Sequence, residues 1–406
     1  MPRDMTGPTR PEIGGAARPG LCTDCGVSRM GDGRACGRAC QFIQPDYPRL
    51  EAAVHGRAAD EAGDEAFFGV TRAMYRARLS PAAPGAQWTG ITTALGAALL
   101  AQGAVDAVIC MGPDPADRWR PVPMIVTEPA DMARARGMRM GYAPLLAALE
   151  PARAAGHRRI AVIGIPCQVY ALRALEAEMG FDEITVIGTP CSDNTTTENF
   201  HAFLARLDPS PETISYLEFR ADYRVELRFD DGRKPRTIPF LNLPLSDLPP
   251  DFFPMTCRTC VDYTNRLADV TVGYMAGEGA QWLIVRNARG AALLDRLGER
   301  LVRSAPGSRG KRQGAVQGFK TNTERAAGGL PLRRMPRALR PIVSFLQPRI
   351  GPRGLEFARA RLEMKAIETV LHLRRAHPAK IKNMVPAHVW RLAARYGLVP
   401  GPGERR

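Results

Sequence analysis

Between about residues 67 and 300, short apolar runs alternate with segments whose apolar positions recur at helical spacing, the pattern of a sheet with helices laid against it. The runs predict strands over 106–110, 124–127, 159–165, 184–188 and 282–285. The longer segments predict helices over 91–102, 130–136, 169–179 and 198–207. Residues 214–240 instead alternate apolar and polar side chains around Asp230-Asp231-Gly232, a hairpin signal. Residues 1–20, rich in Pro, Gly and Arg without an apolar period, read as a disordered lead-in. A Gly, Lys and Arg-rich stretch from 304 reads as a linker, followed by helices over 354–372 and 386–396. The expected organisation is a lead-in (1–20), a cysteine-bearing segment (21–66), an α/β core with α+β elements (67–303), a linker (304–335) and a basic helical region (336–406).

At 406 residues the chain can bury substantial cores without disulfide staples, so its nine cysteines need another purpose. No N-terminal stretch looks like a secretory signal, which predicts a cytoplasmic location where grouped cysteines serve as metal ligands or in redox chemistry. No apolar run reaches the roughly 18 to 20 residues of a membrane span, leaving only peripheral membrane contact open. The net charge of +15 is concentrated: from Leu301 onward there are 23 Lys and Arg against 5 Asp and Glu. Such a field suits nucleic acid, anionic lipid or an acidic protein, and a merely solvated helical surface equally well.

Cys22, Cys25, Cys36 and Cys40 follow the spacing C-x2-C-x10-C-x3-C, and four thiolates within 19 residues can converge on one centre. Zinc and a 4Fe-4S cluster both accept four sulfurs, so spacing does not choose between them. A simple bacterial ferredoxin run would place a third cysteine where Ser28 stands. The second set is dispersed: Cys167 and Cys191, each in a Pro-Cys turn just past a predicted strand, and the pair Cys257 and Cys260. The C-terminal edge of an open α/β sheet is where ligands bind, so these four can share one crevice. Cys110 reads as a small buried apolar residue.

Residues 85–93, Gly-Ala-Gln-Trp-Thr-Gly-Ile-Thr-Thr, precede a helix of small apolar residues. Trp88, Thr89, Gly90, Thr92 and Thr93 offer hydroxyls, amides at a helix start and a flat ring, which suits a phosphate or an isoalloxazine, although plain helix capping explains them as well. Asp193 and Asn194, after Cys191, form a second polar turn of this kind. No GxGxxG fingerprint is present.

Taken in order, 87–93, 165–173, 188–194 and above all the run from Cys257 to Asp269 with Val272-Gly273-Tyr274-Met275 resemble the beta subunit of deazaflavin-coenzyme-reducing hydrogenases and dehydrogenases. Asp114–Arg118 and the Ile350–Arg359 stretch resemble that family's ferredoxin-dependent branch acting on chlorophyll-type rings. The resemblance implies a mixed-sheet flavin-binding core with an N-terminal iron–sulfur segment and a C-terminal helical region. It implies FAD and two 4Fe-4S clusters; by position, Cys22, Cys25, Cys36 and Cys40 are expected to hold one cluster and Cys167, Cys191, Cys257 and Cys260 the other, with exchange of ligands between them open, and Trp88–Thr93 and Asp193–Asn194 are the residues expected at the flavin. It implies ferredoxin as electron donor and a chlorophyllide-type tetrapyrrole as substrate, with reduction of an 8-vinyl group to ethyl as the reaction. Reduction of a 7-hydroxymethyl group, or electron transfer to a deazaflavin coenzyme, are its alternatives. A zinc-binding nucleic-acid protein is the competing class, and it leaves the Pro-Cys turns without a purpose.

Overall fold

The stretches Arg159–Gly164 and Glu183–Gly188 are apolar and β-branched at nearly every position, as strands covered on both faces must be. The computed structural model, which describes residues 22–220, 223–274, 280–329 and 336–405, sets them side by side inside an eight-stranded mixed sheet. The chain's main strands are β1 (Ala73–Leu79), β2 (Ala107–Pro113), β3 (Pro121–Val126), β4 (Arg159–Gly164), β5 (Glu183–Gly188), β6 (Ile214–Phe219), β7 (Arg224–Phe229), β8 (Arg236–Pro239), β9 (Val270–Tyr274), β10 (Gln281–Val285) and β11 (Leu301–Ser304). The large sheet has the order β11-β1-β10-β9-β5-β4-β2-β3, parallel from β9 to β2 and antiparallel at both margins. All five strands expected from the apolar runs are present. Strand β1 escapes the pattern because Arg76 and Arg78 interrupt it. The expected hairpin is a three-stranded meander, β6-β7-β8, with Asp230-Asp231-Gly232 turning between its second and third strands.

The longer helices are α1 (Tyr47–His55), α2 (Ile91–Ala101), α3 (Pro166–Leu175), α4 (Thr197–Leu207), α5 (Ala288–Asp295), α6 (Arg312–Ala326), α7 (Arg340–Ile350), α8 (Leu355–Ala376) and α9 (Ala387–Ala394). Helices α2 and α5 cover one face of the large sheet, where Cys110 lies buried among Leu95, Leu99 and Val270 as a core residue. The opposite face is covered by α1, α3, α8 and α9, with Leu50, Leu172, Ile367 and Trp390 in one cluster with Val162 and Val186. Helix α4 packs with the meander in a third cluster.

Four expectations need correction. The segment expected as a helix over 130–136 is a 3-10 turn, Pro129–Ala135, and the helix after Cys167 runs from Pro166 and passes at Leu175 into the 3-10 turn Glu176–Glu178. The stretch read as linker contains α6, whose polar sequence hides a helix held by buried Val316 and by Arg312 pairing with Glu363 at 2.8 Å. The C-terminal helices are not a separate basic region, because their apolar faces join one core with residues between Val27 and Phe68 and with the large sheet. Much of their charge is neutralised there: Arg359 pairs with Asp64 and Arg391 with Glu61, both at 2.6 Å. The lead-in and Met275 lie outside the described residues.

Candidate metal and cofactor site

Strands β4 and β5 run in parallel with Gly164 opposite Gly188, so the turns leaving the two strands emerge side by side. Pro166 sets the first turn of α3 and places Cys167 within it. Beyond β5 the chain turns through Pro190 to Cys191, whose N–H donates to the Tyr263 carbonyl at 3.1 Å. The Cys257–Asp269 stretch crosses both strand ends. Asn265, in a left-handed conformation at φ 59°, donates from Nδ2 to the Gly164 carbonyl at 2.8 Å. A Cβ on Gly188 would sit 2.7 Å from the Asn265 side chain, so glycine permits this crossing. The short helix Met255–Arg258 then presents Cys257, with Cys260 just after it. Cys167, Cys191, Cys257 and Cys260 thus line one cavity, together with Tyr142 and Asp193.

Two buried ion pairs hold this crossing in place. Arg173 and Asp269, both fully buried, pair at 2.9 Å, and Asp269 also accepts from the Val186 N–H at 2.7 Å. Arg266 donates to Glu51 of α1 at 2.8 Å. Most of the sequence stretch singled out around Cys257–Asp269 therefore serves to fasten the cysteine loop to the sheet.

The first cysteine group lies on a short irregular segment. Cys22 and Cys25 lead into the 3-10 turn Val27–Arg29, and Cys36 and Cys40 bracket the helix Cys36–Ala39. Gly26 at φ 111° lets this backbone approach Leu146 and Ala147, and the Leu146 N–H donates to the Cys25 carbonyl at 2.9 Å. Arg29 and Asp24 close the loop at 2.6 Å, and Arg38 reaches Glu178 at 2.8 Å.

Electrostatics show which thiols face one another. Burial pushes Cys25 up to about 12, with further raising from Cys40, Cys36 and Cys22, and pushes Cys40 up to about 11. Burial likewise raises Cys167 well above the ordinary thiol range, helped by Cys191, Cys260 and also Cys25. Cys257 stands at about 12 and Cys260 at about 11, again through burial. Cys25 thus stands between the two groups. Each set supplies four sulfurs, a donor set suited to iron–sulfur clusters or zinc. Among the described residues no three Cys, His, Asp or Glu side chains converge as a shell for a single ion. Thiols held this firmly protonated become thiolates only beside a strongly cationic group, with release of their protons.

Residues that sequence reasoning missed surround the cavity. Gln41 points Nε2 at Cys260 Sγ (3.8 Å) and accepts from the Tyr47 hydroxyl at 2.7 Å, while the Tyr142 hydroxyl lies 4.0 Å from Cys257 Sγ. Lys365, buried in α8, donates to Asp193 at 2.6 Å and to the Cys257 carbonyl at 2.8 Å. Burial pulls its pKa down, but Asp193 and Glu368 outweigh this and hold the ammonium charged. A lysine interrupting the apolar face of an otherwise core-facing helix is the signal that could have revealed it.

The segment expected for the flavin stands on the other side of the β9 terminus. Pro190 packs over Gly273, and the neighbouring Tyr274 ring meets Trp88 at 5.5 Å. Trp88 is itself in a left-handed conformation at φ 54°. The Thr89 hydroxyl accepts from the Leu79 N–H at 2.9 Å and donates to Gln281, and the Thr93 hydroxyl donates to the Gly90 carbonyl; neither caps the helix, and Thr89 ties its start to β1 and β10. Gly90 is the left-handed residue before α2, and Thr92 is half-buried in the first turn. Asn194 holds the Gly141 backbone in both directions, and Asp193 belongs to the cysteine cavity through Lys365. The two stretches flank the end of β9, each already engaged in protein contacts.

A mixed sheet with a parallel centre, dispersed cysteines at the C-terminal edge of its central strands and antiparallel margins defines the fold as α/β. Residues 74–150 match the family model described as coenzyme F420 hydrogenase/dehydrogenase, beta subunit N-term, and residues 157–305 match its C-terminus counterpart. The chain belongs to this family. It is 36% identical over 390 residues to the 7-hydroxymethyl chlorophyll a reductase of Oryza sativa subsp. japonica, covering 92% of this chain and 82% of that one. An uncharacterised protein of Nostoc sp. is 34% identical over 380 residues, with 93% and 94% coverage. The fold matches a chain of the F420-reducing [NiFe] hydrogenase complex from Methanosarcina barkeri at a TM-score of 0.52 and 21% identity, over 59% of this chain and 84% of that chain. The rice relative is an oxidoreductase, and the archaeal one belongs to a redox complex.

Proposed function

We propose that the protein is an iron–sulfur flavoprotein that takes single electrons from a ferredoxin and reduces a peripheral group of a chlorophyll-type tetrapyrrole. The observation that carries this reading is the convergence of Cys167, Cys191, Cys257 and Cys260 on one cavity, with Cys25 of the other set near enough to help raise the Cys167 thiol. Two adjoining centres are what a one-electron relay requires, and a 4Fe-4S cluster takes one thiolate per iron, so no three sulfurs need share an ion. Cys22, Cys25, Cys36 and Cys40 would hold one cluster, and Cys167, Cys191, Cys257 and Cys260 the other. FAD beside Trp88–Thr93 and Asp193–Asn194 would collect two electrons and supply them as a pair. Around these groups the chain's own residues exclude water and set charge: Gln41 and Tyr142 direct polar hydrogens at cluster sulfurs, and Lys365 offsets thiolate charge near Cys257.

The 8-vinyl group of a divinyl (proto)chlorophyllide is the first substrate reading, supported by the 114–118 and 350–359 stretches. The rice relative's named activity favours a second, reduction of a 7-hydroxymethyl group. The test is anaerobic purification with iron and flavin quantitation, then turnover with reduced ferredoxin and each tetrapyrrole in parallel. About eight irons and one FAD, with loss of the vinyl group, are expected. Loss of the hydroxymethyl group alone moves the assignment to the second reading, and colourless protein containing zinc overturns both.

A further inference from the structure

Eight large apolar side chains are strongly exposed among the described residues, and five of them fall at one place: Leu339, Ile342, Phe345, Leu346 and Ile350, between 39% and 62% exposed. Single exposed apolar residues are ordinary, but a cluster of five is not. Positions 339, 342, 346 and 350 follow the 3-4-4 spacing of one helical stripe, with Phe345 beside it, so the turn Arg337–Leu339 and α7 present a continuous apolar face outward. The other side of α7 rests on the Phe240–Asn242 turn below the meander.

The segment that carries this stripe has charge of one sign in its sequence. From Arg325 to Leu355 the sequence contains seven arginines and no Asp or Glu. The Arg349 guanidinium lies over the Phe345 ring, 3.7 Å from its centre, so this arginine accompanies the stripe while its charge remains at the surface. Elsewhere in the C-terminal third, Arg359 and Arg391 meet carboxylates of the N-terminal segment, and Arg312, Arg374 and Arg395 meet glutamates of the C-terminal part itself. The segment that exposes the apolar face thus brings arginines and no carboxylate of its own.

We propose that α7 is an interfacial helix by which the protein docks on an anionic phospholipid surface, independently of which reaction it performs. An 11-residue helix is only about 16 Å long, and no helix among the described residues is long and apolar enough to cross a membrane. Lying in the headgroup plane, however, needs only a broad apolar stripe bordered by cationic side chains. Both are present. The arginines would be drawn by anionic headgroups, and the five side chains would enter the acyl boundary.

The test is flotation of the intact, cofactor-loaded protein with phosphatidylcholine vesicles that contain or lack phosphatidylglycerol. Binding to the anionic vesicles alone is expected, weakened by added salt, and lowered at least about tenfold by Ile342→Glu with Phe345→Glu. Both side chains point outward, so iron content and melting temperature should stay those of the parent. Ile342→Ser with Phe345→Ser provides a milder pair should the first fold poorly. Absence of vesicle binding, or equal binding by parent and variants, overturns the proposal. So does a dimer in solution that the substitutions dissociate while vesicles are ignored, which would make a second copy the occupant of this face.

Discussion

The two cysteine groups are built in opposite ways. Cys22, Cys25, Cys36 and Cys40 lie within 19 residues on turns that hold themselves together through Arg29–Asp24 and attach to the core through Cys25, Gly26 and Arg38. Cys167, Cys191, Cys257 and Cys260 span 94 residues and meet only because β4, β5 and the loop ahead of β9 end at the same edge. A local group depends on turn geometry, whereas a dispersed group depends on the whole sheet. Damage to the first should remain local, and damage to the second should appear in global stability.

The largest effect should come from the buried pair beneath the dispersed group. Asp269→Asn leaves buried Arg173 with Glu176 as its remaining carboxylate, at 2.8 Å, and about 3 kcal/mol of stability should be lost, measured by denaturant unfolding. Acid should act on the same framework. His55 donates from Nε2 to the Arg266 carbonyl (2.9 Å) and accepts at Nδ1 from Asn287 (3.2 Å), which fits the neutral ring, and burial lowers its pKa to about 4. As pH falls below the ordinary value near 6.5, the unfolded chain takes up a proton that the folded chain refuses until about 4. Stability should therefore fall across that window, by up to about 3 kcal/mol from this residue, and His55→Gln should flatten the dependence of melting temperature on pH.

On the local side, Gly26→Ala places a Cβ against the Leu146 and Ala147 backbone at positive φ. A cost of about 1 to 3 kcal/mol is expected, and on the proposed cluster assignment the substitution should lower iron content with little shift in global unfolding. An equal loss in both would erase the distinction between the groups. The smallest effect belongs to Arg38→Ala. Its exposed pair with Glu178 should contribute less than about 0.5 kcal/mol, so melting should be unchanged within error.

What was legible in the sequence divides along the same line. Central strands such as β4 and β5 show themselves because both faces are buried, and the first cysteine group shows itself because its spacing is local. Helix α6 was hidden because its stability comes from Arg312–Glu363 and one buried valine rather than from an apolar stripe. The roles of Gln41, Tyr142 and Lys365 were hidden because each reaches the cavity through tertiary contact from a distant element. The flavin segment shows how a motif divides its labour: Thr89, Thr93 and Asn194 spend their polar atoms on the protein itself.

The interleaving of the chain's two ends bears on how the molecule is made. Tyr47 packs edge-on against His388 at 5.7 Å, and Lys365 reaches the carbonyl of Cys257, so the cysteine cavity gains its last wall only when α8 and α9 have been synthesised and have docked. Until then the cysteines of both groups belong to a nascent chain that cannot yet shelter them. The cavity is therefore complete only once α8 and α9 have docked, and a chain cut before α9 would emerge with its cysteines present but its vessel open.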